Sequence, residues 1–205
     1  MTVGGLPSAI AALNNAKQKP FLSLIGGTTP EFDGTITTKF YGGINLDTFK
    51  HNGDRIDKLL NYTGGSDPTK IWLLVHQNTT GMTPHEVEAW TGGTVIYVDG
   101  PSDFPAAFQQ FDTGNAVALV VSASPMLQEN KTILVAEAKK HNKRVCYPLR
   151  IYADAGPTGK YTIHGPHLAP AYYNLGVKVG NVLQTSMQSD LTPVDIGAPD
   201  HHGQP

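Results

Sequence analysis

The sequence predicts an α/β fold made of one complete doubly wound block on a parallel sheet and a smaller, incomplete remainder. Three observations predict it. Short apolar runs alternate with amphipathic ones along most of the chain, the pattern of a parallel sheet with helices on its faces. The run Val117-Ala118-Leu119-Val120-Val121 shows no polar alternation, as expected of a strand covered on both sides. Hydrophobic residues make up 40% of the 205, enough to build a core.

The elements follow in order. Thr2-Val3-Gly4-Gly5 reads as the end of a strand breaking into a turn. Pro7 and Ser8 then open a short helix, Ser8 to Lys17, with Ile10, Leu13 and Ala16 on one face. Strands are expected at Phe21–Ile25, Tyr41–Leu46, Ile71–His76, Thr94–Val98, Ala116–Val121 and Arg144–Tyr147. Helices are expected at Thr48–Tyr62, Pro84–Trp90, Ser102–Phe111, Met126–His141 and Leu168–Gln184. Asp47 can cap the helix carrying Phe49, Ile56, Leu59 and Leu60. Ser102 can cap the one whose Phe104, Ala107, Phe108 and Phe111 form an apolar stripe. Lys139, Lys140 and His141 close their helix where positive charge suits the dipole. The polar tail ends in about ten residues expected to be mobile. Residues 41–148 thus read as the complete block. Residues 1–40 and 149–190 read as an incomplete partner, and 191–205 as a tail.

Composition excludes several function classes. With 15 basic and 17 acidic side chains the formal net charge is −2, which gives no footprint for nucleic acid or an anionic membrane. One cysteine, Cys146, excludes an internal disulfide and a Cys-rich zinc site; a buried, inert thiol is its default role. No apolar run approaches the roughly 20 residues of a membrane span. Met1–Pro20 lacks the basic start, apolar core and cleavage site of a secretory signal. The compartment stays open: cytoplasmic if the chain is native as it stands, periplasmic if it is a fragment of an exported parent.

An ordered series of segments resembles a known family. Val3-Gly4-Gly5-Leu6-Pro7-Ser8-Ala9-Ile10-Ala11-Ala12, then Lys19-Pro20-Phe21-Leu22, are followed by Ser102-Asp103-Phe104-Pro105-Ala106-Ala107-Phe108 and Ala118-Leu119-Val120-Val121-Ser122-Ala123-Ser124-Pro125. Tyr152-Ala153-Asp154-Ala155-Gly156, His164-Gly165-Pro166, Ala171-Tyr172, Gly176–Leu183 and Asp190-Leu191-Thr192-Pro193-Val194 complete the series. Together, over residues 2 to 195, they resemble ABC-transporter substrate-binding proteins of the tryptophan/tyrosine type. The resemblance implies a periplasmic-binding-protein-like fold with two Rossmann-like lobes and a ligand in the cleft, closing by hinge motion near Lys39–Gly42 and Tyr147–Ile151. It implies a small polar ligand and, as partner, an ABC transporter permease. The family's first lobe normally begins with further strand–helix units that this sequence lacks. A truncated sheet leaves an open edge, so self-association into a homo-oligomer is expected.

Ligands of open α/β sheets sit beyond the carboxyl ends of the strands, near helix N-termini. The corresponding loops here carry hydroxyl and amide groups: Ser8, Thr28, Thr29, Gln77, Asn78, Ser122 and Ser124. Such groups suit an amino acid or similar carboxylate better than a polyphosphate. Each can equally cap a helix or close a turn. Tyr147 and Tyr152 flank the return crossover, and Tyr152 can stack on a ligand; Asp154 can pair with a ligand amine or cap the turn at Gly156. Trp72, inside a strand, reads as core. His164-Gly165-Pro166-His167 and His201-His202 raise a metal site, but Gly-Pro makes the first a turn with no Cys or paired carboxylate near it in sequence, so no metal and no cofactor is expected. No nucleophile elbow, zincin helix, phosphate loop or dinucleotide fingerprint is present. The expectation is a binding module rather than an enzyme. An enzyme on the same scaffold, or an interaction subunit that has lost its ligand, are the alternatives.

Overall fold

The computed structural model describes residues 2–3, 21–25, 41–46, 48–77, 82–185, 194–195 and 199–203. In chain order the strands are β1 (Thr2–Val3), β2 (Phe21–Ile25), β3 (Tyr41–Asn45), β4 (Ile71–His76), β5 (Val95–Val98), β6 (Ala118–Val121), β7 (Arg144–Tyr147), β8 (Tyr161–Pro166), β9 (Val194–Asp195) and β10 (Pro199–Gly203). The helices are α1 (Asn52–Thr63), α2 (Met82–Glu88), α3 (Phe104–Thr113), α4 (Pro125–Glu129), α5 (Lys131–Lys140) and α6 (Leu168–Thr185). No described helix is long and apolar enough to cross a membrane. The chain divides into two compact units.

The larger unit comprises residues 48–79, 83–165 and 199–205. Its sheet has the order β10-β8-β7-β6-β4-β5, and the pairs from β5 through β8 are all parallel. β4 and β6 register Ile71 with Ala118 and Leu73 with Val120. Side chains alternate between faces along a strand. Ile71, Leu73 and Val75 therefore share a face with Ala118, Val120 and Cys146, packed under Ile56 and Leu59 of α1. Trp72 points the other way, against Phe111 of α3 at 6.1 Å between ring centroids. Phe104, Ala107, Phe108 and Phe111 are all buried, so the expected stripe holds α3 to the sheet. Losing one of these rings would cost about 3–5 kcal/mol.

Local differences from the sequence reading have physical causes. Ser102 does not cap α3, and Asp103 at the N-cap position makes no side-chain cap bond either; its carboxylate turns back and closes the preceding turn, accepting from the backbone N–H of Asp99 at 2.8 Å and Gly100 at 3.2 Å. The helix expected over 126–141 is two helices, because Asn130 ends α4 and turns its side-chain amide onto the Met126 carbonyl at 2.9 Å. β8 was not anticipated. Its Thr162, His164 and Gly165 break the apolar run that marks the other strands, although the strand is buried. Residues 199–203 of the tail, expected to be mobile, form β10 at the sheet edge.

The smaller unit comprises residues 1–47, 80–82 and 166–198. Its parallel sheet has the order β1-β2-β3-β9. Helix α6 packs on β2 and β3. Strand β3, read from sequence as the start of the larger block, pairs along its whole length with β2. The helix expected at Ser8–Lys17, the Asp47 cap and the first half of the hinge segment at Lys39–Gly42 fall outside the described residues.

Candidate functional site

In the larger unit the chain runs from β4 to β5 on one side and returns to β6 on the other. The carboxyl ends of β4 and β6 are thus the place where the strand order reverses, the usual ligand position in an open α/β sheet. Four segments bring polar groups to this edge: the loop after β6, α2, the first turn of α1, and the end of β8.

These groups form one buried chain. Ser122, directly after β6, donates from Oγ to Glu86 Oε2 of α2 at 2.5 Å. Asn52 Nδ2 donates to the other Glu86 oxygen at 2.9 Å. Asn52 Oδ1 accepts from Arg55 Nη1 at 2.5 Å, and Arg55 Nε donates to the His164 carbonyl of β8 at 2.7 Å. The Asn52 amide therefore stands between a cation and an anion, its carbonyl toward the guanidinium and its NH2 toward the carboxylate. Asn52, Arg55, Glu86 and Ser122 are all buried, Arg55 completely. Burial lowers the Arg55 pKa, while nearby groups, among them the Glu86 and Asp54 carboxylates, hold it up. Arg55 Nη2 is buried and makes no hydrogen bond among the described residues. A buried guanidinium donor without a partner costs free energy, and such groups gather where a ligand is recognised.

Local sequence explains the placement. Asn52, Arg55, Ile56 and Leu59 are the buried positions of α1, spaced i, i+3, i+4 and i+7 on one face. Arg55 thus occupies a core position on the helix. Gly165 makes room for it: a Cβ there would lie 1.9 Å from the Pro148 carbonyl oxygen and 3.1 Å from Arg55 Nη2. Thr83 ties the start of α2 to β4 by donating to the His76 carbonyl at 3.2 Å.

Beside this chain, His51, Asp54 and His164 converge. Asp54 Oδ2 lies 3.7 Å from His51 Nδ1 and 3.4 Å from His164 Nε2, and the two imidazoles meet edge to face at 5.9 Å. Burial pushes the His164 pKa down to about 4 against the pull of Asp54, so its ring is neutral near pH 7.

The residues singled out in the sequence distribute as follows. Ser122 belongs to the buried chain. Ser124 is buried and caps α4, accepting from the Leu127 N–H at 3.2 Å. Gln77 is exposed just past β4. Tyr152 is fully buried and stacks on Tyr147 at 4.8 Å, and its hydroxyl makes no hydrogen bond among the described residues; burial raises both phenol pKa values. Asp154 is exposed in the 3-10 segment Arg150–Ala155. Ser8, Thr28, Thr29 and Asn78 lie outside the described residues. Trp72 is core, and Cys146 is buried with its pKa raised to about 12 by burial. Asn52, Arg55 and Glu86 were missed. The signal available for them was a polar or charged side chain at a buried position of a helix.

No protein-family model and no curated protein matches the sequence. Solved structures do match in shape. A conserved domain protein from Vibrio cholerae superposes with a TM-score of 0.70 at 12% identity, over 98% of this chain and 69% of that one. The ABC domain from Streptococcus pneumonia in complex with L-Trp gives 0.63 at 11% identity, over 96% and 69%. The ligand-free, open structure of a substrate binding protein with adhesive properties from Clostridium difficile gives 0.61 at 15% identity, over 97% and 68%. With its two parallel-sheet units and this set of neighbours, the chain has a periplasmic-binding-protein-like α/β fold.

Proposed function

We propose that the chain is a solute-binding module that holds a small polar ligand, an amino acid or similar carboxylate, at the carboxyl edge of its larger sheet, and presents it to an ABC-type permease without making or breaking a bond. The observation that supports this most is the buried chain Ser122–Glu86–Asn52–Arg55 at the point of strand reversal, with Arg55 Nη2 without a partner among the described residues. A carboxylate is the complementary group for a guanidinium donor. The L-Trp complex among the structural neighbours supports an amino acid as the first class to try. Exposed Gln77, at the end of β4, offers an amide for the ligand's polar groups.

A thermal-shift panel of amino acids, their decarboxylated amines and neutral sugars tests the reading. A ligand at about 100 times its Kd stabilises by about 2.7 kcal/mol, a rise of several degrees. The amino acids should raise the melting temperature, the matching amines should not, and Gln77→Ala should diminish the rise. No shift with any carboxylate, or equal shifts with amine and amino acid, defeats it.

A further inference from the structure

We propose that His51, Asp54 and His164 form a binding site for one divalent transition-metal ion, with Zn2+ as the reference ion. The three candidate ligand atoms, one from each side chain, all lie within 4.8 Å of one another. Asp54 Oδ2 is 3.7 Å from His51 Nδ1 and 3.4 Å from His164 Nε2. Well-formed N–H···O hydrogen bonds are about 2.7–3.2 Å long, so the His164–Asp54 hydrogen bond is a long one and the His51–Asp54 contact is longer still. Zinc–nitrogen and zinc–oxygen bonds of about 2.0–2.2 Å place tetrahedral ligand atoms roughly 3.3–3.5 Å apart. The Asp54–His164 spacing already has that value, and His51 Nδ1 lies 3.7 Å from the same carboxylate oxygen.

The scaffold positions the set. His51 and Asp54 are three residues apart, so they share one face at the start of α1. His164 comes from β8, and the neighbouring residue Arg55 clamps that strand to the helix through its 2.7 Å bond to the His164 carbonyl. The His164 side chain is 1% exposed and that of His51 12%, whereas Asp54 is 60% exposed. The site is closed by protein on the histidine side and reached from solvent past the carboxylate. Two imidazoles with one carboxylate, leaving a fourth position for water, is a donor set for zinc and its neighbours. Calcium and magnesium prefer all-oxygen ligands. The proposal is independent of the solute reading, since it needs neither the Glu86 chain nor a carboxylate ligand.

The test uses the full chain, stripped with chelator and kept free of added solute. Zn2+ binding is followed by calorimetry, and Co2+ binding by its visible absorption. The expected result is one saturable ion per chain and a tetrahedral-type cobalt spectrum. Asp54→Ala and His51→Ala, both with far-UV circular dichroism like the parent, should each bind at least about tenfold more weakly. His201→Ala/His202→Ala, in the tail, should bind as the parent does. Absence of saturable binding, parent-like affinity in either Asp54→Ala or His51→Ala, or loss of binding in the tail variant overturns the proposal.

Discussion

Asn52→Leu removes the amide between Arg55 and Glu86 while keeping the same branched four-heavy-atom skeleton. In the parent, Asn52 accepts from Arg55 Nη1 at 2.5 Å and donates to Glu86 Oε1 at 2.9 Å, with all three side chains buried. After the change, Arg55 Nη1 loses its acceptor and Glu86 keeps only the Ser122 hydroxyl. Each orphaned polar group costs about 1–3 kcal/mol, more when charged, and breaking a buried ionic arrangement on one side costs about 3–5 kcal/mol. Taken together, the expected loss is about 3–5 kcal/mol. For a chain of this length that is a fall of about 6–20 °C in melting temperature. Urea unfolding followed by tryptophan fluorescence is the suitable assay. The chain's only tryptophans, Trp72 and Trp90, both lie in the larger unit, so the signal reports that unit. Replacing the charged members as well, in Asn52→Leu/Arg55→Met/Glu86→Leu, should recover part of the loss, because no buried charge is then left alone. A single-variant loss below about 1 kcal/mol would show that water reaches Arg55 and Glu86, and the argument from desolvation would fail.

Three further outcomes are expected. Tyr152→Phe deletes a buried hydroxyl that has no hydrogen bond among the described residues and should stabilise by about 1 kcal/mol; a measured loss in urea would show a further partner. Cys146, buried with its pKa raised to about 12, should resist a thiol reagent at pH 8 in the folded chain and react promptly in denaturant; rapid native labelling contradicts its burial. The His164 pKa falls from 6.5 to about 4 on folding, so the unfolded chain binds this proton more readily. Its contribution to stability is complete above about pH 6.5 and is lost as pH drops through 4. In chelator-containing buffer, His164→Gln should flatten that part of the stability–pH curve; an unchanged slope refutes the assignment.

Much of the larger sheet was legible in sequence, and the reasons are particular. Ile71–Val75 and Ala118–Val121 are unbroken apolar runs because both faces of β4 and β6 are covered. The α3 stripe was legible because Phe104, Ala107, Phe108 and Phe111 keep helical spacing. β8 was hidden because its buried positions include Thr162, His164 and Gly165, chosen for what approaches them rather than for hydrophobicity. Within the site, Ser122 was visible as a hydroxyl after a strand. Asn52, Arg55 and Glu86 were not, since the bonds that define their role, Asn52 to Glu86 and Arg55 to His164, span 34 and 109 positions, and no local pattern encodes such a distance. His164 drew notice for the wrong neighbour: its turn suggested His167, whereas the fold brings it to Asp54 and His51.

Both sheets receive their last strand from the end of the chain, β9 in the smaller and β10 in the larger, but their cores differ in when they can assemble. Strands β4 to β8 follow one another along the chain, each pairing with strands already made. In the smaller sheet β3 must wait for β9, about 150 residues later, and closing so long a span is entropically slow. During synthesis the five-strand core can therefore be assembled while one side of β3 still carries bare peptide groups. That interval is when the nascent polypeptide is most open to mispairing with a second copy.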